Sequence, residues 1–236
     1  MKGILKPLEI FNVISKCVKD YDENLKNKKV MFIIENKDRT ITKEEVFFPK
    51  SSYYHLTGVA LLDKEGKKAN SYEFYDLLKD ERLNLNEYTI ESRDKTTDLK
   101  LEVLPQLMKI DKIANMIGNF ANNNIFLQTE KIAGNVNACI GFVRNSKLNI
   151  YVPNTALKKD IRDITDTRNK IVAILKKDST ENLYKNITYL KQSYQIIDIL
   201  KNEHICKMIN IENIYSEDKN IDKKIHDFFL DKVNIL

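Results

Sequence analysis

Apolar residues recur every three or four positions at the start of the chain, and shorter apolar runs follow. The first pattern covers residues 7–27 and predicts an amphipathic helix. Val30–Glu35 and Thr40–Phe48 are rich in strand-forming residues, and the polar segment between them predicts a hairpin turn. Pro49 ends the second run, and Ser51–Gly58 is predicted to be an ordered loop. The apolar positions of the first helix are Leu8, Phe11, Ile14, Val18, Tyr21 and Leu25.

Helical spacing returns in the middle of the chain. Asn70, with Glu73 three positions later, resembles a capping box and predicts a helix through about residue 79. Residues 96–118 carry a second helical pattern that is expected to stop at Gly118. Pro105 falls inside this pattern, which predicts two pieces with Pro105 in the first turn of the second.

Strand patterns dominate from residue 125 to about 191, and a tight turn is expected at residues 144–147. The last 45 residues return to helical spacing, with one apolar face along residues 221–233. The predicted strands are Ile125–Gln128, Ala138–Val143, Lys147–Val152, Lys170–Leu175 and Tyr184–Leu190, and the predicted apolar face is Ile221, Ile225, Phe228, Phe229 and Val233.

The order of these elements lacks the strand–helix–strand alternation of parallel sheets. It predicts an α+β fold with helices packed on an antiparallel sheet of about four to five strands. An N-terminal helix and hairpin precede the sheet, and C-terminal helices follow it. We assign residues 1–195 to this domain, with the first helix as a possible extension, and residues 196–236 to a C-terminal helical extension.

Composition excludes several classes of protein. The chain has 236 residues, 42% of them hydrophobic, and a net charge of +5, which is compatible with a phosphate-bearing partner but does not require one. Three scattered cysteines argue against a disulfide framework or zinc ribbon and favour a reducing compartment. The first residues do not resemble a signal peptide, and no apolar run is long enough for a membrane span. We therefore expect a cytoplasmic protein, without a membrane partner.

Glycine-rich nucleotide loops and metal-binding motifs are absent from the sequence. Its six glycines form neither a dinucleotide fingerprint nor a P-loop, and its three histidines are far apart in sequence. Any chemistry is therefore expected to use no metal and no cofactor, and to depend on histidine, tyrosine and cationic side chains. His55 is the candidate for proton transfer, because imidazole titrates near neutral pH. An equally open alternative is that His55 only fastens the loop to a backbone carbonyl.

The segment around His55 resembles a nuclease family. Tyr53-Tyr-His-Leu-Thr-Gly-Val59 resembles the F-x-H-L-T-G-[LIV] signature of the phage-associated branch of the barnase–EndoU–colicin–RelE-like nuclease superfamily. The resemblance covers about residues 25–195. Further matching segments are Ala69 to Tyr75, Arg82-Leu83, Thr96 to Leu104, Lys170–Lys177 and Tyr184 to Tyr189.

This resemblance implies a metal-independent endoribonuclease of a phage or mobile element, in the cytoplasm of a bacterial host. The RNA 2′-hydroxyl attacks the adjacent phosphate and leaves a 2′,3′-cyclic phosphate. His55 would transfer a proton, Thr57 would bind a phosphate oxygen, and Lys100 would stabilise the developing negative charge. Tyr75 or Tyr54 would orient the phosphate. The further candidates for binding RNA, such as a host tRNA, are Arg144, Lys147, Lys158 and Arg162.

Each assignment has a structural alternative. Thr57 before a glycine often bonds only to local backbone, Lys100 is an ordinary solvated lysine on a helix, and the tyrosines pack in the core. The other cationic candidates, Arg144, Lys147, Lys158 and Arg162, are then ordinary solvated charges on the protein surface. A second hypothesis for the whole chain is a catalytically silent, nuclease-like phage protein that binds a host defence protein or nucleic-acid complex through its C-terminal helices. A third is an RNA-binding domain without turnover.

Overall fold

The structure, a computed structural model, describes residues 5–121 and 128–233, and only the backbone beyond residue 227. The predicted strand Ile125–Gln128 lies almost wholly outside the described residues. The helices are α1 (Pro7–Asn24), α2 (Ser52–Thr57), α3 (Ser71–Lys79), α4 (Thr97–Leu107), α5 (Ile110–Ile113), α6 (Ile196–Leu200), α7 (Glu203–Cys206) and α8 (Lys219–Val233). The strands are β1 (Lys28–Glu35), β2 (Ile41–Phe48), β3 (Val59–Leu62), β4 (Thr89–Ser92), β5 (Met116–Asn119), β6 (Lys131–Gly134), β7 (Cys139–Asn145), β8 (Ile150–Leu157), β9 (Asn169–Asp178), β10 (Asn186–Leu190) and β11 (Tyr215–Ser216).

The main sheet is larger than the sequence predicts. Within the described residues it has nine strands, in the order β1-β2-β8-β7-β6-β5-β9-β10-β11, so the predicted four to five strands are wrong. The α+β class is confirmed, and most neighbouring strands are antiparallel. The exceptions are one parallel bridge, Val46 to Tyr151, and the short pair β10–β11. Strands β3 and β4 form a separate hairpin.

Strand β9 also pairs with β1, from Lys28 opposite Asp178 to Glu35 opposite Lys170. Because β9 is the seventh strand in the order, this pairing makes β1, β2, β8, β7, β6, β5 and β9 a ring of hydrogen-bonded neighbours, with β10 and β11 outside it. Lys131 on β6 reaches Glu44 on β2 at 2.8 Å although two strands lie between them in the order. The sheet is therefore strongly curved, as ring closure requires.

Helices cover both faces of the sheet around β1. Val30 and Phe32 of β1 belong to the larger core, which α1 to α5 cover. Met31 and Ile33, which point to the opposite face, pack with residues of α6 to α8. This alternation follows from the period of two along a strand. Ile221 and Ile225 of the predicted C-terminal apolar face are buried here, so this part of the face packs within the chain.

Three local predictions differ from the structure. The segment Ser51–Gly58 contains helix α2 and is not a loop; six residues are too few for helical spacing to show. Gly118 lies in strand β5 and does not end a helix, because a Cβ there would come within 2.0 Å of the Thr167 carbonyl oxygen, so glycine permits this close approach. Pro105 lies inside α4 and not at the start of a second helix.

The final 45 residues also differ from a simple helical stretch. As far as residue 233, they form the helices α6, α7 and α8, a 3-10 turn at Ile211–Asn213 and the short strand β11. Over the described ranges, no helix combines the length and the apolar character needed to cross a membrane.

Candidate active site

Helix α2 carries His55 and is fixed by aromatic residues. The Tyr53 hydroxyl donates to the Ile14 carbonyl oxygen at 2.5 Å, and the Tyr21 hydroxyl donates to the Pro49 carbonyl oxygen at 2.8 Å. The Tyr53 ring packs against Tyr21 at a centroid distance of 5.2 Å. Every residue of α2 is buried except His55, which is half-buried. The helix therefore presents one ionisable side chain at the surface of a rigid core.

Cationic side chains surround Tyr54 and His55. The Arg93 guanidinium lies 4.5 Å from the centre of the Tyr54 ring, and the Lys68 ammonium lies 5.9 Å from it. The His55 ring contacts the edge of the same tyrosine, at a centroid distance of 5.4 Å. Tyr54 thus forms a platform that holds an arginine beside the histidine, an arrangement that aromatic rings favour.

The His55 imidazole has no hydrogen bond or ion pair among the described residues. Its pKa is lowered from its ordinary value by burial first, and then by the positive charges of Arg93 and Lys100. A histidine with a lowered pKa is neutral near pH 7 and keeps a lone pair that can accept a proton. Within the part of the chain that the structure describes, no backbone carbonyl accepts a hydrogen bond from the His55 ring.

Gly58 connects the three elements of the site. It ends α2 in the left-handed conformation, with φ of 68°. Its carbonyl oxygen accepts hydrogen bonds from the Arg93 amide at 2.9 Å and from the Thr97 hydroxyl at 2.8 Å. A Cβ at position 58 would lie 2.8 Å from Lys100 Cδ. Glycine therefore permits both the backbone turn and the close approach of Lys100.

Lys100 is held in place by Asp94. Its ammonium lies 3.1 Å from the Asp94 carboxylate, and its side chain is only 11% exposed. The backbone amide of Thr96 donates to the same carboxylate at 2.7 Å. Burial alone would raise the Asp94 pKa, but the bonds from Thr96 and Lys100 outweigh it and lower the pKa. The carboxylate therefore remains ionised and positions the ammonium next to Gly58.

Thr57 and Tyr75 face the protein interior. Thr57 is completely buried; its hydroxyl donates to the Tyr54 carbonyl oxygen at 3.0 Å and accepts from the Val59 amide at 3.2 Å. The Tyr75 hydroxyl donates to Asp22, and burial together with that carboxylate raises the Tyr75 pKa. These contacts match the structural alternatives stated for both residues.

The remaining predicted binding residues are spread over the molecule. Arg144 lies in β7 opposite Tyr151, and Lys147 lies in the turn that follows, at residues 146–149 and not at the predicted 144–147. Arg144 donates to Asn149 at 2.7 Å. Lys158 follows the other end of β8, about 23 Å away at the usual rise of a strand, and pairs with Glu102 at 2.7 Å. Arg162 pairs with Asp160 at 2.6 Å. The structure does not bring these four cations into one patch.

Sequence reasoning missed three residues of the site: Arg93, Asp94 and Lys68. Arg93 and Asp94 lie at the end of β4, in a short hairpin that the sequence pattern does not reveal. A signal was present, because both residues lie within three positions of the Thr96 to Leu104 segment that resembles the nuclease family. Asp94 also helps to line a neighbouring cavity of about 410 Å³ with Ser92, Lys95, Thr97 and Asp98.

The two buried cysteines are not nucleophiles at neutral pH. Burial raises the pKa of the Cys17 and Cys139 thiols to about 12, so neither is a thiolate at neutral pH. Across residues 5–121 and 128–227, no three His, Cys, Asp or Glu side chains are grouped so that they could hold a metal ion.

Comparison with known proteins gives one result. A family model described as phage-Barnase-EndoU-ColicinE5/D-RelE like nuclease4 matches residues 13–193, more than three quarters of the chain. His55, Gly58, Arg93 and Lys100 all fall inside the matched range. Searches of curated proteins and of solved structures found no match.

Proposed function

The chain belongs to the family of phage-Barnase-EndoU-ColicinE5/D-RelE like nucleases, and from this membership we propose that it is a metal-independent endoribonuclease whose active site is centred on His55. One observation supports the site most strongly. The imidazole has no hydrogen-bond or ion-pair partner among the described residues, and its pKa is lowered by burial first and then by the positive charges of Arg93 and Lys100. A neutral base under the influence of two positive charges suits the cleavage of a phosphodiester.

The proposed reaction uses the ribose as nucleophile. His55 accepts the proton of the 2′-hydroxyl, and the 2′-oxygen forms a bond to the adjacent phosphorus. The bond from phosphorus to the 5′-oxygen breaks, and that oxygen takes a proton from the Lys100 ammonium. The products are a 2′,3′-cyclic phosphate and a 5′-hydroxyl. Solvent returns a proton to Lys100 and removes the proton from His55.

Arg93 and Lys100 supply electrostatic stabilisation in this scheme. The phosphorane has more negative charge than the diester, so fixed cations stabilise it more than the substrate. Arg93 is held over the Tyr54 ring at 4.5 Å, with its guanidinium free of any carboxylate among the described residues. The planar guanidinium can donate two parallel hydrogen bonds to two oxygens of one phosphate. Asp94 contacts Lys100 and acts as a positioning residue.

Thr57 and Tyr75 have structural roles in this proposal. The Thr57 hydroxyl is used twice within the turn, and the Tyr75 hydroxyl is bound to Asp22. Arg144 and Lys147 remain candidates for a peripheral contact with RNA at the β7–β8 turn. Host RNA such as tRNA, with the gene carried by a phage or mobile element, is the substrate and setting that the family resemblance favours.

The proposal is tested by incubating the purified chain with total RNA in EDTA. Wild-type protein is expected to cut the RNA, and His55→Ala should lose about 10²–10⁴-fold in rate, the usual contribution of a general base. His204→Ala is the control, because His204 is an exposed histidine on α7. If wild-type protein leaves all RNA intact across a range of salt concentrations, the enzymatic proposal is wrong, and a non-catalytic binding role takes its place.

A further inference from the structure

A second basic region lies at the far end of β2 from α2. Two clefts there share Lys170, and their volumes are about 310 and 280 Å³. We name these two joined clefts the distal groove. The cations that line it are Lys37, Arg39, Arg168, Lys170 and Lys191. Strand β2 has eight residues, so the groove and the α2 end of the strand are about 23 Å apart.

The distal groove carries a net positive charge. Lys37, Arg39 and Arg168 have no ion pair with a carboxylate among the described residues. The acid in the lining is Glu35, which accepts a hydrogen bond from the Tyr194 hydroxyl and lies 3.7 Å from Lys170. Asp38, in the same turn, is bonded to the amide and hydroxyl of Thr40. These hydrogen bonds lower the pKa of both acids, so both stay ionised and offset two of the five positive charges around the groove.

The groove also offers groups that bind nucleotides. Tyr189 is half-buried in its wall, and Asn36 and Asn115 line its two parts. An aromatic ring can stack on a base, while lysine and arginine contact the backbone phosphates. Asn36 also lines a third cleft, of about 340 Å³, together with Thr42 and Asn119. The side chains of Asn36, Thr42 and Asn119 therefore extend the polar lining of the distal groove into this third cleft.

The backbone fixes these cations at the ends of paired strands. Arg39 lies in the left-handed region, with φ of 67°, in the turn that closes the β1–β2 hairpin. Arg168 directly precedes β9, and Lys170 is paired across the sheet with Glu35. Because these positions belong to one end of the ring of strands, the backbone holds the cationic residues around the groove.

We infer that the distal groove binds the phosphate backbone of single-stranded RNA at a distance from the point of cleavage. This inference rests on the proposed function, since it takes RNA as the ligand. Bound RNA would extend along the molecule from the groove toward His55. The groove would contribute affinity and register and would not take part in the reaction.

The test measures binding of an RNA of about 20 nucleotides, longer than the roughly 4–16 nucleotides covered by one single-strand-binding fold. Every ribose of the probe is 2′-O-methylated, so that it cannot be cut by its own hydroxyl. The variant is Arg39→Asn with Arg168→Gln in the full chain. Asparagine tolerates the left-handed conformation at position 39, so the fold is expected to persist. The control, Lys207→Ala with Lys223→Ala, removes two charges from exposed lysines outside the groove.

The groove variant is expected to bind about tenfold more weakly, and its dependence of log K on log salt should be shallower by about 1.4. The control should stay within about twofold of the wild type, and melting temperatures verify folding. Unchanged affinity and salt dependence in the groove variant, or no binding by the wild type, would overturn the inference. If the wild type cuts RNA but the groove variant binds normally, only the groove inference fails. If the variant loses binding and the wild type cuts no RNA, only the nuclease proposal fails.

Discussion

Gly58 leaves the space into which Lys100 extends: a side chain at position 58 would lie 2.8 Å from Lys100 Cδ and 3.4 Å from its Nζ. The glycine also has a φ of 68°, which other residues adopt at a cost. One backbone position therefore controls both the end of α2 and the placement of a proposed catalytic cation.

Gly58→Ala is expected to reduce both stability and RNA cleavage. The left-handed conformation costs an alanine about 1–2 kcal/mol, and the new methyl group displaces Lys100. Gly66→Ala is the matched control, because Gly66 has a φ of 78° but no atom within 4 Å of the added Cβ. Thermal unfolding should show a loss in both variants, whereas the cleavage rate of the folded protein should fall only in Gly58→Ala. Equal activity in the two variants would contradict the role of Lys100.

The pH dependence of cleavage should follow the lowered pKa of His55. A general base works when deprotonated, so kcat/KM should rise with pH and level off above a midpoint that lies below 6.5. Lys100→Gln removes one of the positive charges that lower this pKa, so the midpoint should move upward even though the rate is lower. Lys95→Gln, at an exposed neighbouring lysine, should leave it in place. If the midpoint of kcat/KM were the same in Lys100→Gln as in the wild type, this would argue against His55 as the base.

Thr57→Val should destabilise the protein without removing a catalytic group. Valine loses both hydrogen bonds of a completely buried hydroxyl, which leaves the Val59 amide without that partner. The expected cost is about 1–3 kcal/mol in the free energy of unfolding. Thr57→Ser keeps the hydroxyl and should restore most of this loss in a denaturant titration. A large drop in kcat for folded Thr57→Val, with little loss of stability, would instead indicate contact with the phosphate.

Asp111→Ala is expected to be among the most destabilising single changes. Asp111 is completely buried, and its carboxylate lies 2.5 Å from the Lys176 ammonium, whose side chain is 10% exposed. Removing one member of a buried ion pair costs about 3–5 kcal/mol, because the other charge stays buried. Lys112→Ala breaks an exposed pair with Glu217 nearby and should cost about 0–1 kcal/mol. Similar unfolding midpoints for the two variants would contradict this difference.

The sequence pattern predicted the secondary structure of the long periodic segments well. The helix expected over residues 7–27 is α1 at Pro7–Asn24, and the hairpin matches β1 and β2 within one or two residues. Asn70 does cap α3, since its side chain accepts from the amides of Tyr72 and Glu73. In these segments local pattern and tertiary packing agree.

Short elements and long-range pairing could not be read from the sequence. Strands β3 to β6 have four residues each, too few for a periodic signal, and the β1–β9 pairing joins segments about 140 residues apart. For the same reason the sequence identified His55 and Lys100 but not their neighbour Arg93. That arginine reaches Tyr54 only because β4 pairs with β3 directly after α2. The helical form of α2 depends on aromatic packing with α1 and α3, which no local pattern encodes.

The most direct measurement of the central claim compares cleavage of one RNA with that of the same RNA bearing a single 2′-O-methyl group at the cut nucleotide. Wild-type protein in EDTA is predicted to cut only the unmodified RNA and to leave a 2′,3′-cyclic phosphate and a 5′-hydroxyl, with His55→Ala slowed by about 10²–10⁴-fold. Cleavage of the methylated RNA at the same bond, or undiminished cutting by His55→Ala, would contradict ribose-assisted cleavage by this imidazole.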